Sequence, residues 1–286
     1  MTNSHINKLT GVSYTYEYKI LDSFDKNMLI KQRDSFKSQF SKIYQRQEGN
    51  IFTEWIVRHY LAGKMIMAST IMFNSLIYSK EHNIKMSISY FFYYILLNLS
   101  RGLIFVYPSQ QWNEGKIKSL EHNKIISITH NILKSYDKII AEKYFNLINS
   151  SKIKRERISY KFPANGFDDN DINDLKEIST LICDLIQFQS EISETTYKKY
   201  VCDFSPVSEI LDEGCMYEST DGVLLDNEDA YRLSKIIRKQ EGALGMLLLI
   251  AEGLFEDFFG SFHIDSIDED NSFNPDKNTD VIFSFY

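Results

Sequence analysis

Arg101 is the residue of this sequence best placed to do chemistry. It is the single charge in the twenty-residue run Ile88 to Tyr107, and a guanidinium held in apolar surroundings must find a compensating partner. Asn98 lies three residues before it, so on a helix the two share a face and the carboxamide adds a donor and an acceptor beside the charge. His122 follows after a polar connection. An imidazole titrating near neutrality beside an arginine suits proton transfer and anion stabilisation at a phosphodiester. Arg101, His122 and Asn98 are therefore the candidate catalytic set, with His130 the other unexpected histidine. The structural alternatives are an Arg101 that snorkels to the helix end or meets a carboxylate on a neighbouring helix, and a His122 satisfied within a loop.

The same run carries Tyr90, Tyr93 and Tyr94, which on one side of a helix could line a small-ligand pocket. The plain alternative is an aromatic core face. No phosphate-binding glycine loop, dinucleotide fingerprint, HExxH zinc motif or GxSxG elbow occurs, and no pair of histidines has metal-binding spacing. The three cysteines, Cys183, Cys202 and Cys215, are spaced neither as a zinc knuckle nor as a redox pair. The expectation is a chain with no metal site and no cofactor.

The 286 residues allow one large domain or two modest ones. With 43% hydrophobic and 25% charged residues the chain can bury a core without disulfides. Its 18 Tyr and 20 Phe, against two Trp, predict an aromatic interior with internal hydroxyl contacts. Six of the acids fall in Ile264 to Tyr286 against Lys277 alone, a net charge of −5 there, which leaves −2 of the total −7 for residues 1 to 263. A basic surface for non-specific nucleic-acid binding is thus absent overall. The cluster Lys152, Lys154, Arg155, Arg157 and Lys161 is a local exception, expected as a solvated loop. Met1 to Thr10 lacks an apolar signal core, so the expected location is the cytoplasm.

Periodicity sets the elements that must hold these residues. Val12 to Ile20 alternates as a short half-buried strand. A helix capped by Asp22 or Ser23 runs to about Gln45, and Gly49 and Asn50 break it. Ile51 to Tyr78 and Ser87 to Tyr107 are expected as an antiparallel helical hairpin stopped by Pro108. The second of these is long enough to span a bilayer, but Ser89, Asn98, Ser100, Arg101 and four tyrosines point instead to the centre of a helical protein, without membrane insertion. Ile125 to Leu133 is ambiguous and Ser135 to Ile148 helical. Ile158, Tyr160 and Phe162 alternate as an edge strand near an internal boundary. Asp171 to Ile192 is an amphipathic helix with Leu175, Ile178, Leu181, Ile182, Leu185 and Phe188 on its apolar face. After a loop, Glu228 to Phe262 is expected as a helical block, and Val281 to Tyr286 as a docked terminal strand.

The stretch SISYFFYYILLNLSR, Ser87 to Arg101, followed by Glu121, His122 and Asn123, resembles the central helix and histidine segment of HEPN-like helical proteins, nearest to the bacterial YaaC-like group. The likeness covers about Ile51 to Leu133, with an echo in Leu175 to Ile192. It implies a mainly α fold, a HEPN-like helical bundle with a few short peripheral strands, often dimeric. The expected division is a helical core over 1–150, a helical part over 151–263 packed on it, and an acidic tail over 264–286. The resemblance further implies antiviral defence or stress roles. In the ribonuclease branch four to six residues separate an arginine from the histidine that follows it. Here Arg101 matches the arginine, but Val106, Tyr107 and Pro108 occupy the histidine positions. A tyrosine with a pKa near 10 is a poor near-neutral acid or base. The leading expectation is accordingly a non-catalytic or weakly catalytic subunit working through a protein partner, with homodimerisation in keeping with the family. A metal-independent endoribonuclease acting on RNA through Arg101 and His122 stands beside it, and a small-ligand sensor is the third reading.

Overall fold

The computed structural model describes residues 5–13, 15–46, 49–113, 115–162, 172–200 and 229. Among these residues the regular structure is helical. In chain order the helices are α1 (His5–Thr10), α2 (Lys26–Tyr44), α3 (Gly49–Glu81), α4 (Lys85–Val106), α5 (His122–Lys134), α6 (Lys138–Lys161) and α7 (Ile172–Tyr200). Short 3-10 turns lie at Leu21–Ser23 and Lys116–Ser119.

No strand occurs among the described residues, which corrects the expectation at both described places. Residues 15 to 18 are extended, and Tyr16 and Tyr18 are buried while their neighbours are exposed, as alternation requires. The backbone there pairs with a side chain instead of a strand: Asn7 Nδ2 donates to the Tyr16 carbonyl at 2.8 Å, and the Tyr16 amide donates to Asn7 Oδ1 at 3.4 Å. A carboxamide carries the donor and acceptor of one peptide group, so it satisfies one residue and propagates no ladder. Ile158 and Tyr160 belong to the end of α6. That helix stops only at Phe162, whose left-handed conformation (φ 40°) turns its amide back to the Arg157 carbonyl at 2.9 Å. The terminal strand and the helical block after residue 227 lie outside the described residues, Asp229 excepted.

Other boundaries move for local reasons. Asp25, rather than Asp22 or Ser23, caps α2 by accepting from the Met28 amide at 2.8 Å. Gly49 and Asn50 open α3 instead of ending its predecessor. The ambiguous Ile125 to Leu133 is helical because Ile125, Ile126, Thr129, Ile132 and Leu133 fall at helical spacing on the buried face of α5. Asp137 caps α6 through the Ile139 and Ile140 amides, and the helix runs through residues 150 and 151 without a break. The basic cluster from Lys152 to Lys161 is therefore helical, not a loop.

The chain forms two compact units. The first takes the described residues of Met1–Gly63, Phe105–Leu120 and Leu185–Leu254. Its interior is aromatic: Trp55 of α3 packs edge-on against Phe40 of α2 at 4.9 Å, and Tyr44 meets Tyr197 of α7 at 5.4 Å. The Tyr44 hydroxyl bonds Ser193 Oγ at 2.6 Å.

The second unit takes the described residues of Lys64–Ile104, Glu121–Asp184 and Phe255–Tyr286. Here the end of α3 and α4 are antiparallel, tied by Ser69 Oγ to the Ile95 carbonyl at 3.4 Å and by Ser87 to Ser79 at 2.9 Å. The α6 helix runs back along α4, where Ser100 and Tyr144 join hydroxyls at 2.8 Å. Lys143 of α6 meets Asp174 and Glu177 of α7, each at 2.6 Å.

The residues Ile178 to Glu194 of α7 are buried around the whole helix, including Ser179, Asp184, Gln187, Gln189 and Glu191. That corrects the one-faced reading of this helix. Two stretches, Glu54–Glu81 and Lys85–Val106, are long and apolar enough to cross a membrane by length and composition, and most of each apolar window is buried inside the protein.

Candidate functional site

In the second unit one side of α4 carries Tyr90, Tyr94, Asn98 and Arg101, spaced by four, four and three residues so that they lie on one stripe. Tyr93 sits a fraction of a turn away and is fully buried. Its hydroxyl reaches His122 Nδ1 at 2.8 Å, so the first residue of α5 is held against the middle of α4. His122 is thus brought to a place that its distance in sequence conceals.

A third element completes the cluster. Arg155 of α6 lies over the Tyr93 ring at 5.1 Å and the Tyr94 ring at 5.9 Å. One turn earlier, Lys152 Nζ donates to Asn123 Oδ1 at 2.6 Å and pins α6 to the start of α5. Sequence reasoning counted Arg155 and Lys152 in a solvated charge run. The signal available was their three-residue spacing, which puts both on one helical face once Asp137 is recognised as the cap of a long helix.

The electrostatics are strongly one-sided. Arg101 makes one weak bond, from Nη1 to Asn98 Oδ1 at 3.5 Å, and among the described residues no carboxylate pairs with it. Burial lowers its pKa, with Tyr93 and Tyr94 acting in the opposite sense. Arg155 has a loose ion pair with its neighbour Glu156 at 3.6 Å. The Nε atoms of both arginines are buried without an acceptor. His122 is lowered below the ordinary histidine value by burial and then by the charges of Arg101, Arg155 and Lys152, against a smaller raising effect of Glu156. Burial pushes the Tyr93 hydroxyl up to about 12, so at neutral pH it is a protonated phenol beside a neutral imidazole.

Such a site is built to receive an anion. Two guanidinium groups and an ammonium group act on His122, and a phosphate would supply the acceptors that the buried Nε atoms of the arginines lack. The amide end of α5 adds its partial positive charge from the same side. With Nδ1 engaged by Tyr93, Nε2 is the nitrogen of His122 left to a ligand. If Nδ1 carries the proton and donates it to the tyrosine oxygen, Nε2 is a free base.

The structure brings Arg101, Asn98, His122, Tyr93 and Tyr94 into one neighbourhood, with Tyr90 at its edge. The three tyrosines do not form an enclosed pocket. Tyr93 is core, Tyr94 half-buried, and Tyr90 is 45% exposed. His130 stands apart, 3.2 Å from Glu142 on the outer side of α5 and α6. No cluster of His, Cys, Asp or Glu among the described residues could hold a metal ion.

The first unit holds a second buried arginine that the sequence reading passed over. Arg58 pairs with Glu54 at 2.7 Å, donates to the Phe105 and Gln110 carbonyls, and lies between Trp55 and Trp112 at 4.5 and 5.6 Å. Its charge is answered, so it holds the segment after α4 in place. Its Nε, like those of Arg101 and Arg155, is buried without an acceptor, so what sets Arg101 apart is the lack of a carboxylate partner among the described residues. No family model, curated protein or solved structure matches the chain, so the functional argument rests on this geometry.

Proposed function

We propose that this chain is a HEPN-like helical protein that takes an RNA phosphodiester into the Arg101, His122 and Arg155 cluster and cleaves it without a metal. The observation that supports this most is the surplus of positive charge around a neutral, oriented imidazole, with Arg101 lacking a carboxylate partner among the described residues. His122 Nε2 accepts the proton of the ribose 2′-hydroxyl as that oxygen attacks phosphorus. The bond to the 5′ oxygen breaks, a 2′,3′-cyclic phosphate forms, and the departing oxygen takes a proton from water. Arg101 and Arg155 stabilise the charge that gathers on the phosphoryl oxygens. The setting in bacterial antiphage defence or stress follows from the resemblance alone.

Incubation of RNA with the purified chain and with Arg101→Ala and His122→Ala tests this reading. Each substitution is expected to slow cleavage by roughly two to three orders of magnitude. Equal cleavage by all three proteins, or none by the parent, ends it.

A non-catalytic subunit working through protein contacts is the second reading, favoured by the exposed apolar side chains of α6. Ile139, Ile153 and Tyr160 are 81%, 50% and 79% exposed and spaced by multiples of seven residues along one face. Ile153→Asp would then abolish a dimer or complex detected by sedimentation and leave the helix content unchanged.

A further inference from the structure

Three features outside the catalytic argument invite a role: the cleft beside Arg58, the apolar face of α6, and the aromatic stripe that continues from Arg101 toward the start of α4. The cleft of ≈ 420 Å³ is floored by an arginine whose charge is already met, and nothing singles out its occupant. The face of α6 supports contact without naming a ligand. The stripe does more, because it leads into the site.

We infer that Met86, Tyr90 and Tyr94 form a stacking track for the unpaired bases of a single RNA strand whose phosphate lies at Arg101 and His122. This inference rests on the RNA reading above and adds the class of RNA. Along α4 the side chains Met86, Tyr90, Tyr94, Asn98 and Arg101 follow at intervals of four, four, four and three residues and make one continuous line. At a helical rise the line is roughly 22 Å long, enough for several nucleotides of extended strand.

Most of α4 is buried, with Lys85 exposed and Ser87, Phe91, Tyr94 and Arg101 half-buried. Phe92, Tyr93, Ile95, Leu96, Leu97 and Leu99 are fully shielded, whereas Met86 is 55% and Tyr90 45% exposed. Tyr90 touches the Phe91 and Tyr94 rings yet stays half open to solvent, and the exposed Met86 thioether one turn away extends it as an adaptable apolar surface.

The rings are arranged to accept a base. Tyr90 and Tyr94 stand 4.6 Å apart with their planes tilted by 42°, and Tyr94 meets His122 edge-on at 6.4 Å. Burial and its contact with Tyr90 raise the Tyr94 pKa, so the Tyr94 phenol is neutral. A base laid on Tyr90 would have its sugar and phosphate directed along the stripe toward Asn98 and Arg101. Stacking of this kind is tolerant of base identity but demands an open base face. In an A-form duplex the base faces are covered by their neighbours, so only an unpaired strand can use the track.

The test separates binding from cleavage by using short 2′-O-methyl RNA, which has no free 2′-hydroxyl. A fluorescein-labelled oligonucleotide is titrated with the full chain, single-stranded and annealed to its complement, and anisotropy is followed. The single strand is expected to bind at least about tenfold more tightly than the duplex. Tyr90→Ala should weaken single-strand binding roughly tenfold, the loss of one stacked base. Tyr90→Trp should restore it, and duplex binding should be unchanged by either. Far-UV circular dichroism of each variant confirms the fold.

Equal affinity for the two forms, or a Tyr90→Ala variant that binds as the parent does, overturns the track. If the oligonucleotides behave as expected while unmodified RNA stays intact, the cleavage reading fails and the track stands. If Arg101→Ala and His122→Ala abolish cleavage while Tyr90→Ala alters neither binding nor strand preference, the reading stands and the track fails.

Discussion

The Tyr93 hydroxyl lies 2.8 Å from His122 Nδ1, although 29 residues separate the two in the chain. Tyr93 is fully buried in α4, and His122 is the half-buried first residue of α5. The bond therefore fixes a mobile imidazole to a rigid post and selects which ring nitrogen faces the cluster. A histidine oriented in this way needs no particular spacing from Arg101 in sequence.

Replacing Tyr93 by phenylalanine removes the oxygen and keeps the ring on which Arg155 stacks. The imidazole then loses its orienting partner and exchanges between tautomers. Cleavage by Tyr93→Phe should fall roughly tenfold to a hundredfold in kcat with little change in KM, since the arginines that bind the phosphate are untouched. A drop confined to KM would show that Tyr93 serves binding instead. Stability should fall by only about 1 kcal/mol in urea unfolding, the ordinary worth of one hydrogen bond.

The pH profile follows from the lowered pKa of His122. A general base works deprotonated, so the cleavage rate should climb with pH and level off above the pKa of the imidazole. Because burial and three neighbouring cations favour the neutral ring, the midpoint should lie below the free histidine value of about 6.5. Arg155→Ala withdraws one of those cations and should move the midpoint upward. A midpoint above 7 in the parent, or a profile that Arg155→Ala leaves in place, contradicts the assignment.

Arg101 should carry opposite effects on stability and function. A half-buried arginine that meets no acid among the described residues is a strain that a bound anion would relieve. Arg101→Met keeps the length of the side chain and discards the charge. Thermal or urea unfolding should show it equal to the parent or more stable by about 1 kcal/mol, while RNA binding is lost. Adding a phosphate-rich ligand should raise the melting temperature of the parent and leave Arg101→Met unmoved. A variant that is markedly less stable would mean that Arg101 is tied into the fold as Arg58 is.

The sequence carried the α4 stripe in full, because Tyr90, Tyr94, Asn98 and Arg101 are neighbours by helical spacing alone. It also carried the helices themselves, since apolar period and capping residues such as Asp137 are local properties. What lay beyond it was tertiary. The meeting of His122 with Tyr93 joins residues 29 apart, and no local property of either records it. The place of Arg155 depends on α6 continuing past residue 150, where a polar composition suggested a loop. The two strand readings went astray for a related reason: alternation at Tyr16 and Tyr18 records burial on one side, and Asn7, not a neighbouring strand, took up the backbone groups. The encircling burial of α7 was equally illegible, because polar residues such as Gln187 and Glu191, four apart on one face, carry the marks of a solvent-facing stripe.

That buried polar side of α7 leads to a pH effect independent of the site. Glu191 is fully buried in the first unit, where Gln187 Nε2 donates to its Oε1 at 2.9 Å. Burial raises its pKa to about 7, against smaller lowering effects of Gln187, Thr10 and Tyr18. In the unfolded chain the group titrates near its ordinary value of 4.5. Between those values the folded protein holds a proton that the unfolded chain has released. Its contribution to stability is therefore complete below about pH 4.5, is lost as pH rises to about 7, and is flat beyond. The full span corresponds to at most about 3 kcal/mol. Glu191→Gln keeps the shape and cannot ionise, so it should be the more stable protein at pH 8 and should lose this part of the pH dependence. Urea midpoints of parent and variant measured from pH 5 to pH 8 decide the matter: parallel curves would mean that Glu191 is ionised in the folded state and has a cation or water beside it.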